Sequence, residues 1–553
     1  MSASPHRSFL VLTPVLLGLL LLLPARRTAQ PSGGRPTNET LAPGPALHPS
    51  PGSTGVHSAR FREVDREVDD LQRELENILT STGNRNGKWS VLAISMDRGD
   101  TLLAMNHREP MVPASNMKVF TTAAALLTLG PDFRFTTFLL TQGSQDASTL
   151  QGDLILYGTG DPTLSDRFFP GETAPLDSLA ARLLERGIHE IRGDLIIDGS
   201  YFQGPDLHPE WDPKDLNDPF AAPVAAVNFN ENLVRIQVQA GASVGQPPIL
   251  SLTPTGSGLS LLNTARTVPS GQRSRIWLFR DTPWDPIGIE GEIPLRGRDV
   301  WRELPVPDPL VYTGRVLRRV LEERGIRIRG NVRVSRALAA SVLPTPGSGI
   351  TPPTGSRVRV LAVHQSPPLM DILTVVNKRS INILAEAVAR TMGRLTRGDG
   401  SYEGGRAAVE EFLTRRVGVP AQEISVRDGS GLSPRNRASA GALVKVLAFL
   451  GDSPHWEDFW ATLPQAGVWR ELRRMGNSPA SRNLRGKTGT MEGVSALSGM
   501  VRTRSGERVL FSILSNQVQS EYRAKRAEDQ LGIRLASLTR TVVSETQEAP
   551  KRQ

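Results

Sequence analysis

Residues 111 to 131, MVPASNMKVFTTAAALLTLGP, contain a helical stretch that is apolar on nearly every side. Phe120, Ala123, Ala124 and Leu127 make one face at helical spacing, and the other faces offer water little more. Such a helix is stable only when neighbouring elements cover it all round, so the chain is expected to fold in layers about it. Pro113 ends an extended run before it, Ser115 reads as its N-cap, and Gly130-Pro131 reads as its stop. Lys118 is the residue that does not fit.

Only eight of the 65 basic residues are lysines: Lys88, Lys118, Lys214, Lys378, Lys445, Lys487, Lys525 and Lys551. Arginine does not give up its proton inside a protein, whereas a lysine in a dry site can be neutral near pH 7. Ser115 and Lys118, three apart, share one helix face, so the amine can reach the hydroxyl. Burial and a second nearby cation would lower the amine's pKa until it could take the serine's proton. The same tetrapeptide also fits an N-cap serine beside an unrelated surface lysine.

Two further groups bear on the choice. Lys487-Thr488-Gly489-Thr490 falls where an edge strand is expected. Gly489 would let a substrate backbone lie close, while Lys487 and the Thr488 hydroxyl would meet a carboxylate. A phosphate-binding loop is the other reading of this stretch, but its first required glycine is Ser481 here. Ser-x-Asn occurs as Ser380-Ile381-Asn382 and as Ser481-Arg482-Asn483. The second is too near Lys487 to form a separate cleft wall. The first, expected on a loop between two helices, offers a hydroxyl to relay a proton and an amide to hold a substrate backbone.

The chain's organisation is read from composition and pattern. Its 553 residues exceed what one core usually organises. An apolar run from Phe9 to Leu23, short for a membrane span, follows Arg7, so residues 1–30 read as an export signal or an uncleaved N-terminal anchor. Either places the rest outside the cytoplasm. Residues 31–57 are rich in Pro, Gly, Ser and Thr and read as a linker. From Ala59 to Leu79 the pattern is that of an amphipathic helix, and WSVLAISMDRGDTLLAMN that of a hairpin. LLERGIHEIRGDLIID (183–198) and VLEERGIRIRGNVRV (320–334) repeat a helix end, a glycine turn and a strand, with a β-looking stretch from about 228 to 300 between them. After a Pro/Gly-rich joint at 343–356 helices resume, and a strand meander follows Lys487. The polar residues 541–553 read as a tail.

Cysteine is absent, which excludes disulfides and thiolate chemistry. None of the eight histidines pairs at helical metal-binding spacing, so neither metal nor cofactor is expected. The net charge of +9 is spread along the chain, and no nucleic-acid-binding signature is present.

Taken in order, Ser-x-x-Lys, Ser-x-Asn and Lys-Thr-Gly resemble the set shared by penicillin-binding proteins and serine β-lactamases. GDLILYGTGDPTL (152–164), GDLIIDGSYF (193–202), AAPVAAVNFNEN (221–232), HQSPPLMDILTVVNKRSINILAEAVAR (364–390) and DGSGLSPRN (428–436) narrow it. They are similar to the penicillin-binding protein 4 type of D-alanyl-D-alanine carboxypeptidase/endopeptidase, peptidase family S13. The resemblance implies an α/β (α+β) fold with an antiparallel sheet flanked by helices. The DD-peptidase domain would comprise 58–135 and 356–540, an inserted α/β domain 136–227 and 301–355, and a β-rich insert 228–300.

It also implies roles. Ser115 would attack the carbonyl between two D-alanines, Lys118 would be its base, and Ser380 would pass the proton to the leaving amine. Asn382 would steady the acyl side chain, and Lys487 and Thr488 would serve the relay and the terminal carboxylate. The N–H groups of Ser115 and Thr490 would form the oxyanion hole beside Gly489. Phe220 and Arg435 are the candidates for contacts to the rest of the stem peptide, although Pro434 stands where the family commonly has Arg. Peptidoglycan stem peptides and β-lactams are the implied partners, with anchoring through the N-terminus left open. A β-lactamase of the same fold and a catalytically silent wall-binding protein are the alternatives.

Overall fold

The computed structural model describes residues 56–81, 87–343 and 357–540. The expected signal or anchor, the tail, residues 344–356 of the joint and the linker up to residue 55 lie outside them. Val56 and His57 already belong to the first helix, α1 (Val56–Ser81). No helix among the described residues is long and apolar enough to cross a membrane.

Both ends of the chain build one sheet. Strands Lys88–Ser95 and Thr101–Met105 form the expected hairpin, and Arg485–Met491, Val494–Arg502 and Arg508–Asn516 form the meander. All pair antiparallel, in the order 101–105, 88–95, 508–516, 494–502, 485–491. The Lys-Thr-Gly strand is therefore an edge, with Lys487 opposite Ser498 and Gly489 opposite Ala496. Val494 to Val501 are buried without alternation, as expected of a strand covered on both faces. On one side Leu71, Leu75 and Leu79 of α1 share a core with Phe511 and with Leu531 of the helix Glu521–Ala536. On the other lies the apolar helix, α2 (Met117–Leu129), buried from Met117 to Leu126 and stopped by Gly130 at φ 85°.

The chain leaves this core along strand Thr136–Thr141 and returns along Arg359–Gln365, and the two pair with Thr136 opposite Gln365. Between them the two sequence repeats sit side by side. Each follows a helix, α3 (Ala174–Glu185) or α4 (Pro309–Glu323). Their short strands pair in parallel, Glu190 with Arg327 and Leu195 with Val332. Residues 233–305 add further strands around Ile236, Val238, Ile287, Ile289 and Ile293, a core of their own.

After the return come α5 (Leu369–Arg379) and α6 (Asn382–Arg397), joined by Ser380 and Ile381. Helix α6 is fastened to the inserted region by Arg390, which is fully buried. Its guanidinium donates to the carbonyls of Gly400, Val224 and Gln203 at 3.0, 2.7 and 3.0 Å, between the rings of Phe202 and Tyr402. A lysine cannot reproduce that planar fork. Arg390→Lys should lose about 2–4 kcal/mol, because buried carbonyls are left without donors. Urea unfolding checks this, and an unchanged midpoint would refute it.

Candidate active site

Ser115 is not the N-cap of α2. It lies in a 3-10 turn, Ala114–Asn116, and Asn116 occupies the cap position with no side-chain hydrogen bond to the backbone. The Ser115 hydroxyl is turned instead toward Lys118, whose Nζ is 3.1 Å from Oγ. Lys118, in the first turn of α2, is wholly buried. Its amine has two other acceptors, Asn382 Oδ1 and the Ser430 carbonyl, each at 2.6 Å. An ammonium would fill all three positions; a neutral amine that keeps the latter two presents its lone pair to Ser115.

The second wall comes from the α5–α6 joint. Ser380 ends α5 in the left-handed region, φ 58°, while Asn382 is the first residue of α6 rather than a loop residue. Lys487 reaches across from the edge strand, with Nζ 3.0 Å from Ser380 Oγ and 2.9 Å from the Thr488 carbonyl. Asn382 Nδ2 donates to the Phe220 carbonyl at 2.8 Å, so one amide touches both the buried amine and the inserted region. Two serine–lysine pairs thus face a single cleft. Asn483 of the other Ser-x-Asn spends its amide on the carbonyls of Pro479 and Arg502.

The edge strand approaches Ser115 because residue 489 has no side chain. A Cβ there would lie 2.7 Å from the Pro113 carbonyl and 3.1 Å from the Ser115 nitrogen. Thr490 follows, and with Ser115, Ser380, Asn382 and Phe220 it lines a cleft of about 670 Å³. Asp212, Lys214 and Asp215 also line it. Arg435 does not. Its guanidinium is 3.4 Å from Glu210, and Pro434 takes the lining position.

The electrostatics differ in one respect from the expectation drawn on sequence. Burial lowers the pKa of Lys118 to about 8, but Asp428 and Glu386 act against that shift. Dehydration, not a second cation, is therefore what lowers the pKa of this amine. The repulsion between the two lysines is felt at Lys487, held well below its ordinary value first by burial and then by the charge on Lys118.

Glu386 lies on α6 four residues beyond Asn382, accepts the N–H groups of Gly429 and Ser430, and is raised by burial and by Asp428. Asp428 accepts from Gly431, Ser433, Trp211 and Asn436. Together the two acids fix the loop whose Ser430 carbonyl meets Lys118. Neither was singled out in the sequence, although the i, i+4 spacing from Asn382 to Glu386 and the DGSG motif both point to them. Among the described residues, no cluster of three or more His, Asp or Glu could hold a metal ion.

The model of the D-Ala-D-Ala carboxypeptidase 3 (S13) family matches residues 71–538. The chain belongs to the peptidase S13 family. It is similar, at 31% identity over 90% of its length and 88% of the relative's, to a D-alanyl-D-alanine carboxypeptidase of Actinomadura sp. (strain R39). The D-alanyl-D-alanine carboxypeptidase DacB of Haemophilus influenzae is 27% identical over 79% of this chain and 87% of that one. The crystal structure of penicillin binding protein 4 (dacB) from Haemophilus influenzae superposes with a TM-score of 0.70 at 25% identity, covering 84% of this chain and 99% of that one. The mixed fold, with its helix-flanked antiparallel sheet, is shared with that structure.

Two outcomes follow from the geometry. Acylation by a labelled penicillin should accelerate as pH rises toward about 8, because the base must lose its proton to act. A rate independent of pH between about 6 and 9 would contradict a lysine base. Gly489→Val should slow acylation at least about 10²-fold with the fold retained by circular dichroism, since the added carbons would push the strand from Ser115. An unchanged rate would show that the close approach is not needed.

Proposed function

We propose that this chain is a serine-type D-Ala-D-Ala carboxypeptidase acting on peptidoglycan stem peptides through an acyl-enzyme on Ser115, and that it also opens cross-links as an endopeptidase. The observation that carries this is the Ser115–Lys118 pair, 3.1 Å apart, facing the Ser380–Lys487 pair, 3.0 Å apart, across one cleft of an S13 chain.

Neutral Lys118 accepts the hydroxyl proton as Ser115 Oγ bonds to the carbonyl carbon between the two D-alanines. The oxyanion that forms is met by the N–H groups of Ser115 and Thr490, which the bare Gly489 backbone allows to lie close together. Collapse breaks the C–N bond. Ser380 delivers a proton to the leaving amine and regains one from Lys487.

Lys487 has a second task, which its environment suits. An arriving terminal carboxylate, also met by Thr488, raises the pKa of this buried amine and lets it take up the proton it will pass on. Water then attacks the ester, giving a proton to Lys487, which acylation left neutral, and as the ester C–O bond breaks Lys118 returns to Ser115 Oγ the proton it took. A β-lactam enters by the same attack, but its opened ring stays tethered in the cleft and blocks that water. Asn382 and Phe220 hold the acyl part of the substrate. Thr490 and the edge strand offer main-chain partners to an extended peptide.

Such a substrate lies outside the cytoplasm, and the chain works there, exported by the signal read at its N-terminus. Asp212, Lys214, Asp215 and Phe220 of the inserted α/β region line the side of the cleft that receives the rest of the stem peptide.

Mass spectrometry after incubation with penicillin should place the adduct on Ser115, and Ser115→Ala should abolish both the adduct and D-alanine release from a synthetic pentapeptide ending in D-Ala-D-Ala. An adduct elsewhere, or release retained in the variant, would overturn the assignment.

A further inference from the structure

The β-rich insert carries a second concavity that the reaction does not use. It measures about 570 Å³ and is lined in part by Trp277, Trp301, Asn217, Asp218, Arg302 and Glu303. The two indoles are 56% and 47% exposed, unusual for the residue type that folding most rewards burying. They come from separate sheets: Trp277 from the strand Arg275–Phe279 and Trp301 from Val300–Pro305.

Trp277 is presented by design of the neighbouring strand. Residues 277 and 279 point to the same side of their strand; on strand Ile287–Pro294, Phe279 is opposite Gly288 and Trp277 is opposite Glu290, with Gly291 the next residue along. A Cβ at Gly291 would come within 2.9 Å of the Trp277 ring, and one at Gly288 within 2.2 Å of the Phe279 ring. Each ring thus rests over bare backbone and keeps its other face toward solvent.

Adjacent residues of the chain line the groove and the catalytic cleft. Pro219 lines the one and Phe220, its neighbour, lines the other. Asn217 locks this segment to the aromatic strand: Arg280 Nε donates to its Oδ1 at 2.6 Å, and its Nδ2 donates back to the Arg280 carbonyl at 3.0 Å. Whatever fills the groove therefore meets the segment whose next residue lines the cleft.

We propose that this groove binds the glycan strand of peptidoglycan, so that the polysaccharide is held while its stem peptide is cleaved. The proposal rests on the peptidase reading for the identity of the polymer. Sugar rings have an apolar C–H face that stacks on an indole, and an equatorial rim of hydroxyl and N-acetyl groups that seeks hydrogen bonds. Both kinds of partner line this groove. Arg235, Arg302 and Glu303 keep polar groups along the same wall as the indoles, with Arg235 paired to Glu303 at 3.2 Å.

The test uses the full chain and a Trp277→Ala/Trp301→Ala variant on two substrates with the same peptide, one free and one attached to glycan chains. The variant should release D-alanine from the free pentapeptide at the parent rate. On the glycan-linked substrate its KM should rise at least about tenfold, a loss of about 1.4 kcal/mol. Co-sedimentation with peptide-free glycan should weaken in parallel, and Trp277→Phe/Trp301→Phe should restore much of it. Equal KM values for parent and variant on the glycan-linked substrate would overturn the proposal. So would a parent that self-associates through this face without binding glycan. Failure of the parent on the free peptide would instead defeat the peptidase reading, while glycan co-sedimentation would still read the groove on its own.

Discussion

The site depends on the removal of water from one amine. Lys118 has no exposed surface, and burial alone brings its pKa to about 8 against the pull of two acids. An ammonium at that position is tolerable only because Ser115, Asn382 and the Ser430 carbonyl supply a partner for each hydrogen. The same arrangement lets the proton go. When the amine is neutral, the contacts to Asn382 and Ser430 hold it in place with its lone pair toward the serine. In the role proposed for it, Lys118 is therefore oriented before the substrate arrives.

Each of those contacts is delivered by a different part of the chain, and the scaffold makes sense as the means of bringing them together. The 3-10 turn before α2 supplies the serine and α2 the lysine, α6 supplies Asn382, and the loop at 428–436 supplies the carbonyl, steadied by Glu386 and Asp428. The edge strand closes the site from the fourth side, and its distance is set by a missing side chain at Gly489. Arg390 then ties α6 to the inserted region. A shift of α6 would be felt at Lys118 and at the cleft wall at once, because Asn382 bonds both Lys118 and Phe220.

Much of this was legible in the sequence wherever local spacing decides geometry. Ser115 and Lys118 meet because they are three apart on one turn, and the meander and the two repeats announce themselves by turn glycines and alternating residues. The repeats even pair with each other, Leu195 with Val332, as their matching sequences allow. What escaped depends on contacts distant in sequence. The cap role expected of Ser115 failed because its hydroxyl is claimed by Lys118, a side chain rather than the backbone. Arg435 was expected near the substrate, but Glu210, 225 residues away, draws it aside. The supposed help from a second cation was assigned to the wrong lysine, since Glu386 and Asp428 sit nearer in effect to Lys118 than any sequence pattern reveals.

The most direct test of the central claim is to titrate the lysine side chains by NMR in ¹³C-labelled protein, assigning Lys118 by its loss in Lys118→Met. With so few lysines the assignment is tractable. Lys118 should titrate near pH 8 in the folded enzyme and return to the ordinary lysine range on unfolding. A Lys118 that titrates in the folded enzyme at the ordinary value of about 10.4 would contradict it, because an amine so basic could not take the serine's proton at neutral pH.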